Sequence, residues 1–83
     1  MKIKIFSAQE RIFEGQAKEA ILPAEGGEIS VLDFHEPCLC RLRPGMIRLR
    51  PYDEAKEKGP LRFPVLSGIA KILSQEITVL LEV

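Results

Sequence analysis

His35-Glu36-Pro37-Cys38-Leu39-Cys40 is the densest run of reactive side chains in the sequence. One imidazole and two thiols make a soft donor set of the kind zinc or copper takes. A structural zinc site wants four ligands and a C-x₂₋₄-C spacing, and only three soft donors are present. In an extended segment Cys38 and Cys40 would share a face about 6.5–7 Å apart, too far and too parallel for a relaxed disulfide. They read more simply as small hydrophobes of a core or an interface. No metal or cofactor is expected.

Other chemistry is thinner. Gly26-Gly27 is followed by Glu28 and not by the lysine of a phosphate loop. His35 has no Ser or Cys motif placed to form a triad. Glu25 with Glu28, and Asp53 with Glu54, are paired carboxylates, but a chain that is 29% charged brings such pairs together by chance. A domain this small also offers little cleft for them to line. The chain is therefore read as a non-enzyme. Arg41, Arg43, Arg48 and Arg50 form a basic cluster, but Tyr52 is the only aromatic nearby that could stack on a base. Twelve Lys+Arg balance twelve Asp+Glu, so the basic excess usual in a nucleic-acid or bilayer binder is missing. The arginines are expected on a solvated strand face, opposite glutamates.

The elements that would hold these residues are strands. Lys2-Ile3-Lys4-Ile5-Phe6, Glu28-Ile29-Ser30-Val31-Leu32, Met46-Ile47-Arg48-Leu49-Arg50 and Ile77-Thr78-Val79-Leu80-Leu81 approach a two-residue period. Gly15, Pro23, Gly26-Gly27, Pro37, Pro44-Gly45, Gly59-Pro60, Pro64 and Gly68 punctuate the chain. The pattern predicts strands at Lys2–Ser7, Arg11–Phe13, Ala17–Pro23, Gly27–Val31, Cys38–Leu42, Gly45–Pro51, Leu61–Leu66, Ile69–Leu73 and Glu76–Leu81. Asp53 to Lys58 reads as a solvated loop at the tip of a long hairpin. Short, regularly punctuated strands point to an all-β sandwich or flattened barrel. The expected inward residues are Ile3, Ile5, Phe13, Ile21, Val31, Leu39 or Cys38, Leu42, Ile47, Leu49, Val65, Ile72, Ile77, Val79 and Leu81.

The 83 residues suffice for one domain, spanning 1–83. No apolar run approaches the roughly 20 residues of a spanning helix, and the N-terminus has no signal-peptide pattern. With two cysteines and no disulfide framework, a reducing, cytoplasmic setting is expected.

Five segments in register carry a resemblance. They are Ser7-Ala8-Gln9-Glu10 with Phe13-Glu14-Gly15; Ile21-Leu22-Pro23-Ala24-Glu25-Gly26-Gly27-Glu28-Ile29-Ser30-Val31-Leu32; His35-Glu36-Pro37; Leu42-Arg43-Pro44-Gly45-Met46-Ile47-Arg48; and Leu66-Ser67-Gly68 with Ile77-Thr78-Val79-Leu80. Together they resemble the N-terminal β-sandwich domain of the F-type ATP synthase epsilon subunit. The resemblance implies a ten-stranded β-sandwich of two five-stranded sheets. It also implies a non-catalytic rotor-stalk role between the gamma subunit and the c-subunit ring, coupling proton transport to ATP synthesis. The subunit would be peripheral on the cytoplasmic face of the plasma membrane. Glu28 matches the acidic position near the c-ring loops. Ser7, His35 and Cys40 match positions facing gamma.

The match departs in places. Asp33-Phe34 replaces the family's Pro-Gly before the histidine, and Glu36 replaces a small residue, so Asp33 and Phe34 join the expected gamma or c-ring contact loop. One glycine is missing after Gly68, shortening the final hairpin by a residue. The sequence stops after the last strand, so coupling without the inhibitory C-terminal helices is the expectation. A domain shaped to sit between partners would expose apolar surface alone, and a homodimer of the isolated chain is compatible with that. The alternative is a free-standing β-sandwich adaptor that binds another protein through the Asp33–Cys40 loop.

Overall fold

The computed structural model describes residues 1–52 and 61–82. The expected loop from Asp53 to Lys58 lies outside the described residues. These hold nine strands: β1 (Lys2–Ser7), β2 (Arg11–Gln16), β3 (Glu19–Ala24), β4 (Gly27–Leu32), β5 (Cys38–Leu42), β6 (Gly45–Arg50), β7 (Leu61–Val65), β8 (Ser67–Ile72) and β9 (Glu76–Glu82). Each strand the sequence pattern predicts is present, β1 and β5 with both ends as expected and the others with ends displaced by at most three residues.

One hydrogen-bonded path, β2-β1-β9-β8-β5-β3-β6-β7, runs through the molecule, with β4 on the free edge of β3. All neighbours are antiparallel except β1 and β9, which run parallel from Lys2↔Glu76 to Ser7↔Leu81. The path is weakest between β5 and β3, where a single bridge joins Ala24 to Leu42. There the sheet folds over into two layers, β2-β1-β9-β8-β5 and β4-β3-β6-β7. The far ends of the path meet again: Phe13 on β2 and Phe63 on β7 stack with ring centroids 5.2 Å apart. Among the described residues the two layers hold five and four strands; the resemblance implies five and five.

The core lies between the layers. Ile3 and Ile5 of β1, Ile77 and Val79 of β9, Ala70 and Ile72 of β8, Ala20 and Leu22 of β3, Val31 of β4, and Ile47 and Leu49 of β6 are sealed from solvent. Two inward assignments need correcting. In β3, Ala20 and Leu22 point in and Ile21 is only half-buried, so the expected phase is off by one residue. The partners fix this phase: Ala20 lies between Val31 and Leu49, whereas Ile21 lies between Ser30 and Arg48. In β5, neither Leu39 nor Cys38 is inside. Leu39 shares the outer face with Arg41, while Cys38 is on the inward phase but sits at the exposed strand end, beyond the single bridge to β3.

The glycines divide by role. Gly27, with φ 129°, needs the freedom of a residue without a side chain to leave the β3–β4 turn. Gly45 does not have a positive φ. A Cβ on it would lie 2.7 Å from that of Pro23, so close packing requires the glycine there. Despite the missing glycine, β8 and β9 pair without a break from Ser67↔Glu82 to Ile72↔Ile77. Ile69, which follows Gly68, points outward against Leu80.

Candidate functional site

Antiparallel alternation places every turn at one of two ends. One end carries Met1, the β2–β3 link, the β4–β5 loop with Asp33, Phe34 and His35, Tyr52, and the β8–β9 turn at Ser74 and Gln75. The other carries the β1–β2, β3–β4 and β5–β6 turns. Glu28 and Ser7 belong near that second end. The strands between are about six residues long, so the ends are roughly 15–20 Å apart. The six expected contact residues therefore do not form one patch.

At the first end the N-terminus makes a clamp. The Met1 ammonium is buried, its carrier side chain 1% exposed, and it reaches Asp33 Oδ1 at 2.8 Å. It also donates to the Ala17 carbonyl at 2.9 Å and to the Tyr52 hydroxyl. Three N–H groups thus meet three acceptors. Tyr52 donates in turn to Asp33 Oδ2 at 3.0 Å. A polar cleft of about 330 Å³ opens beside them, lined by Met1, Lys2, Gln16, Asp33, Tyr52 and Gln75. The hydrogen bond from the ammonium, then that from Tyr52, holds the Asp33 carboxyl below its usual range. Burial, followed by the Asp33 charge, pushes the Tyr52 phenol up.

The sign of the pH effect follows. A carboxyl whose folded pKa is depressed stabilises the fold above its unfolded pKa, ordinarily near 3.8, and loses that contribution as pH falls through the lower folded value. Urea midpoints of wild type and Asp33→Asn should differ most at neutral pH and converge in the acid range. A gap unchanged between pH 7 and pH 2.5 would exclude this role for Asp33.

Phe34 follows the clamp. Its φ is 66°, the only positive value at a non-glycine among the described residues. A β-carbon there costs about 1–2 kcal/mol, and this is the position where the family pattern has glycine. Its N–H is held by the Ser74 carbonyl, while the ring stands 74% exposed. His35, half-buried, donates from Nδ1 to the Glu36 carbonyl at 2.8 Å. Cys40 is half-buried in β5 and its thiol is pushed up by burial, then by Cys38, which disfavours the reactive thiolate. Both cysteines are free. No group of three or more potential ligands is placed for a metal among the described residues.

At the second end Ser7 is occupied by its own turn: its hydroxyl accepts from the N–H groups of Gln9 and Glu10, both at 3.3 Å. Both carboxylate oxygens of Glu28 accept from one guanidinium nitrogen of Arg48, Nη2, at 2.9 and 3.0 Å, yet the Glu28 side chain remains 60% exposed. Arg50 pairs with Glu19 at 3.1 Å, and Arg41 with Glu25 at 3.6 Å. Hydrogen bonds from Ser30, then Arg50, hold the Glu19 carboxyl low. On the outer face of β4-β3-β6, Arg48 and Arg50 are thus each paired with a glutamate across the strands, as expected for a solvated charged face.

Sequence reasoning missed the Met1 ammonium and assigned Tyr52 no role. Only strand register brings either to Asp33, and no local motif signals it.

Residues 1–83 match the family model for the ATP synthase delta/epsilon chain, beta-sandwich domain. The chain belongs to that family. Within it, the chain is 35% identical over 80 residues to the ATP synthase epsilon chain of Herminiimonas arsenicoxydans, covering 96% of this chain and 55% of that one. It is 36% identical over 80 residues to the epsilon chain of Bordetella avium, covering 96% and 54%. The chain therefore spans about half the length of these curated relatives. The delta/epsilon fold also matches a chain in the Euglena gracilis mitochondrial ATP synthase OSCP/F1/c-ring structure, with TM-score 0.82 and 16% identity, covering 95% of this chain and 48% of that one. A second match is a chain of the Tetrahymena thermophila mitochondrial ATP synthase central stalk/c-ring structure, with TM-score 0.76 and 13% identity, covering 99% and 63%. At those identities the structures support the epsilon-type sandwich fold alone.

Proposed function

We propose that this domain is a non-catalytic rotor element of an F-type ATP synthase, held between the gamma subunit and the c-subunit ring on the cytoplasmic face of the membrane. The observation that carries the reading is the separation of the expected contact residues to two ends of a small, well-packed sandwich. A part that passes torque from a ring to a shaft needs two faces and a stiff body between them. In this reading Asp33, Phe34 and His35 face gamma, with Cys40 extending that surface along β5. Glu28 faces the polar c-ring loops, where a partly exposed carboxylate suits a basic partner. Ser7, expected toward gamma with His35, lies instead at the Glu28 end with its hydroxyl engaged by its own turn, and is left out of the gamma face.

The test is co-purification from the host with gamma and c subunits, using the wild-type chain and Glu28→Lys. Wild type should recover both. Glu28→Lys should lose the c-ring more than gamma, by about tenfold, because it turns an attraction into a repulsion. Deleting the gene should uncouple ATP hydrolysis from proton pumping. Recovery of neither subunit, with coupling intact after deletion, would overturn the reading and favour a free-standing adaptor using the Asp33–Cys40 loop.

A further inference from the structure

We infer that Phe34 is the pre-set anchor of the first end, a rigid aromatic knob that enters an apolar socket on the gamma subunit. The inference rests on the rotor reading above and deepens it. Three observations converge on this residue. Its backbone occupies the left-handed region at φ 66°, which a bulky side chain rarely adopts. Its ring gains little from the fold, being 74% exposed. The backbone leading into it is nonetheless fixed: Asp33 by the Met1 ammonium and Tyr52, and the Phe34 N–H by the Ser74 carbonyl.

Strain of this kind persists where the surroundings over-determine it, and it gathers at binding sites. For folding alone, glycine would serve this position better. Phenylalanine makes sense if the ring is needed outside the fold. A fixed loop then presents that ring with little ordering left to lose on binding, the condition under which a single aromatic dominates an interface. The exposed ring is the apolar element such a socket would receive; the cleft beside Asp33 and Tyr52 is polar and Phe34 does not line it.

The experiment measures two quantities on the same variants: thermal midpoint, and affinity for purified gamma subunit from the same synthase. Phe34→Gly should raise the midpoint by about 4 °C by releasing the backbone, while weakening gamma binding about 30-fold. Phe34→Ala keeps a β-carbon in the left-handed region, so it should lose the binding without gaining the midpoint. If either variant binds gamma as wild type does, the anchor is overturned and the rotor reading stands. If Phe34→Gly fails to raise the midpoint, the strain argument is wrong and the inference falls with it. If the wild-type chain binds no gamma, the rotor reading itself fails and the assigned socket is wrong.

Discussion

Gly68→Ala should lower the thermal midpoint by about 12 °C or more. A Cβ on Gly68 would lie 2.6 Å from the Leu80 carbonyl oxygen and 3.2 Å from the Leu81 Cα. Both are backbone atoms of the neighbouring strand, so no side chain can swing away to make room. The glycine also sits between Leu42 and Leu81 in the ladder. Relief must come from parting β8 from β9 or from β5. Overpacking costs about 1–3 kcal/mol where side chains can adjust, and a backbone clash belongs at or above the top of that range. A domain of this size is stabilised by only about 4–12 kcal/mol in total, and each kcal/mol moves the midpoint by about 4–8 °C. A fall of less than about 4 °C would mean that β9 yields more easily than its ladder suggests. Gly26→Ala is the control, since its added Cβ meets nothing within 4 Å.

Leu22→Ala should cost about 2–5 kcal/mol, while Ile21→Ala beside it should cost about 1 kcal/mol. Leu22 is 1% exposed in the middle of the core, and Ile21 lies half-buried on the charged outer face. Chemical denaturation of the two variants would measure the difference. Equal losses, or a larger one at Ile21, would mean that β3 is turned over relative to its neighbours. Such a turn would also expose Ala20 and break the alignment of Arg50 with Glu19.

That pair marks where local pattern stops being informative. Ala20-Ile21-Leu22-Pro23-Ala24 is apolar on both phases, so its alternation cannot choose a face. The choice is made by β4 and β6, whose own alternation is clear: Ile29 and Val31 inward, Glu28 and Ser30 outward, Ile47 and Leu49 inward, Arg48 outward or half-exposed. β5 misleads in another way. Cys38 has the inward phase but projects past the point where the second layer covers its strand, so phase alone does not bury it. By contrast β1, β6 and β9 are legible from their own residues, because each alternates apolar inward residues with outward ones. The family could be read from five short segments in register, and the family model matches the same length of chain.

The candidate site was partly legible on the same terms. Asp33 and Phe34 stood out against the family pattern and His35 matched it, and the structure puts the three together at one end. Their supports did not stand out. The clamp on Asp33 joins the first residue to two others far along the chain, and the constraint on Phe34 runs through a backbone carbonyl, which has no sequence signature. The opposite locations of Glu28 and His35 were also hidden, because only the strand count and the antiparallel pairing settle which turn falls where.

The parallel pairing of β1 with β9 bears on how the protein is made. β1 is made before every other strand of this domain, and its partner Glu76 to Leu81 after all the others. Until then Ile3 and Ile5 have only the β2 hairpin beside them, which alone is marginal in water. The core cannot close until β9 has been made, in a step that joins the most distant of these strands and is slow for that reason. A nascent chain stalled before Glu76 would therefore carry an unpaired β1 edge and a row of uncovered isoleucines, the form of this molecule most in need of a chaperone.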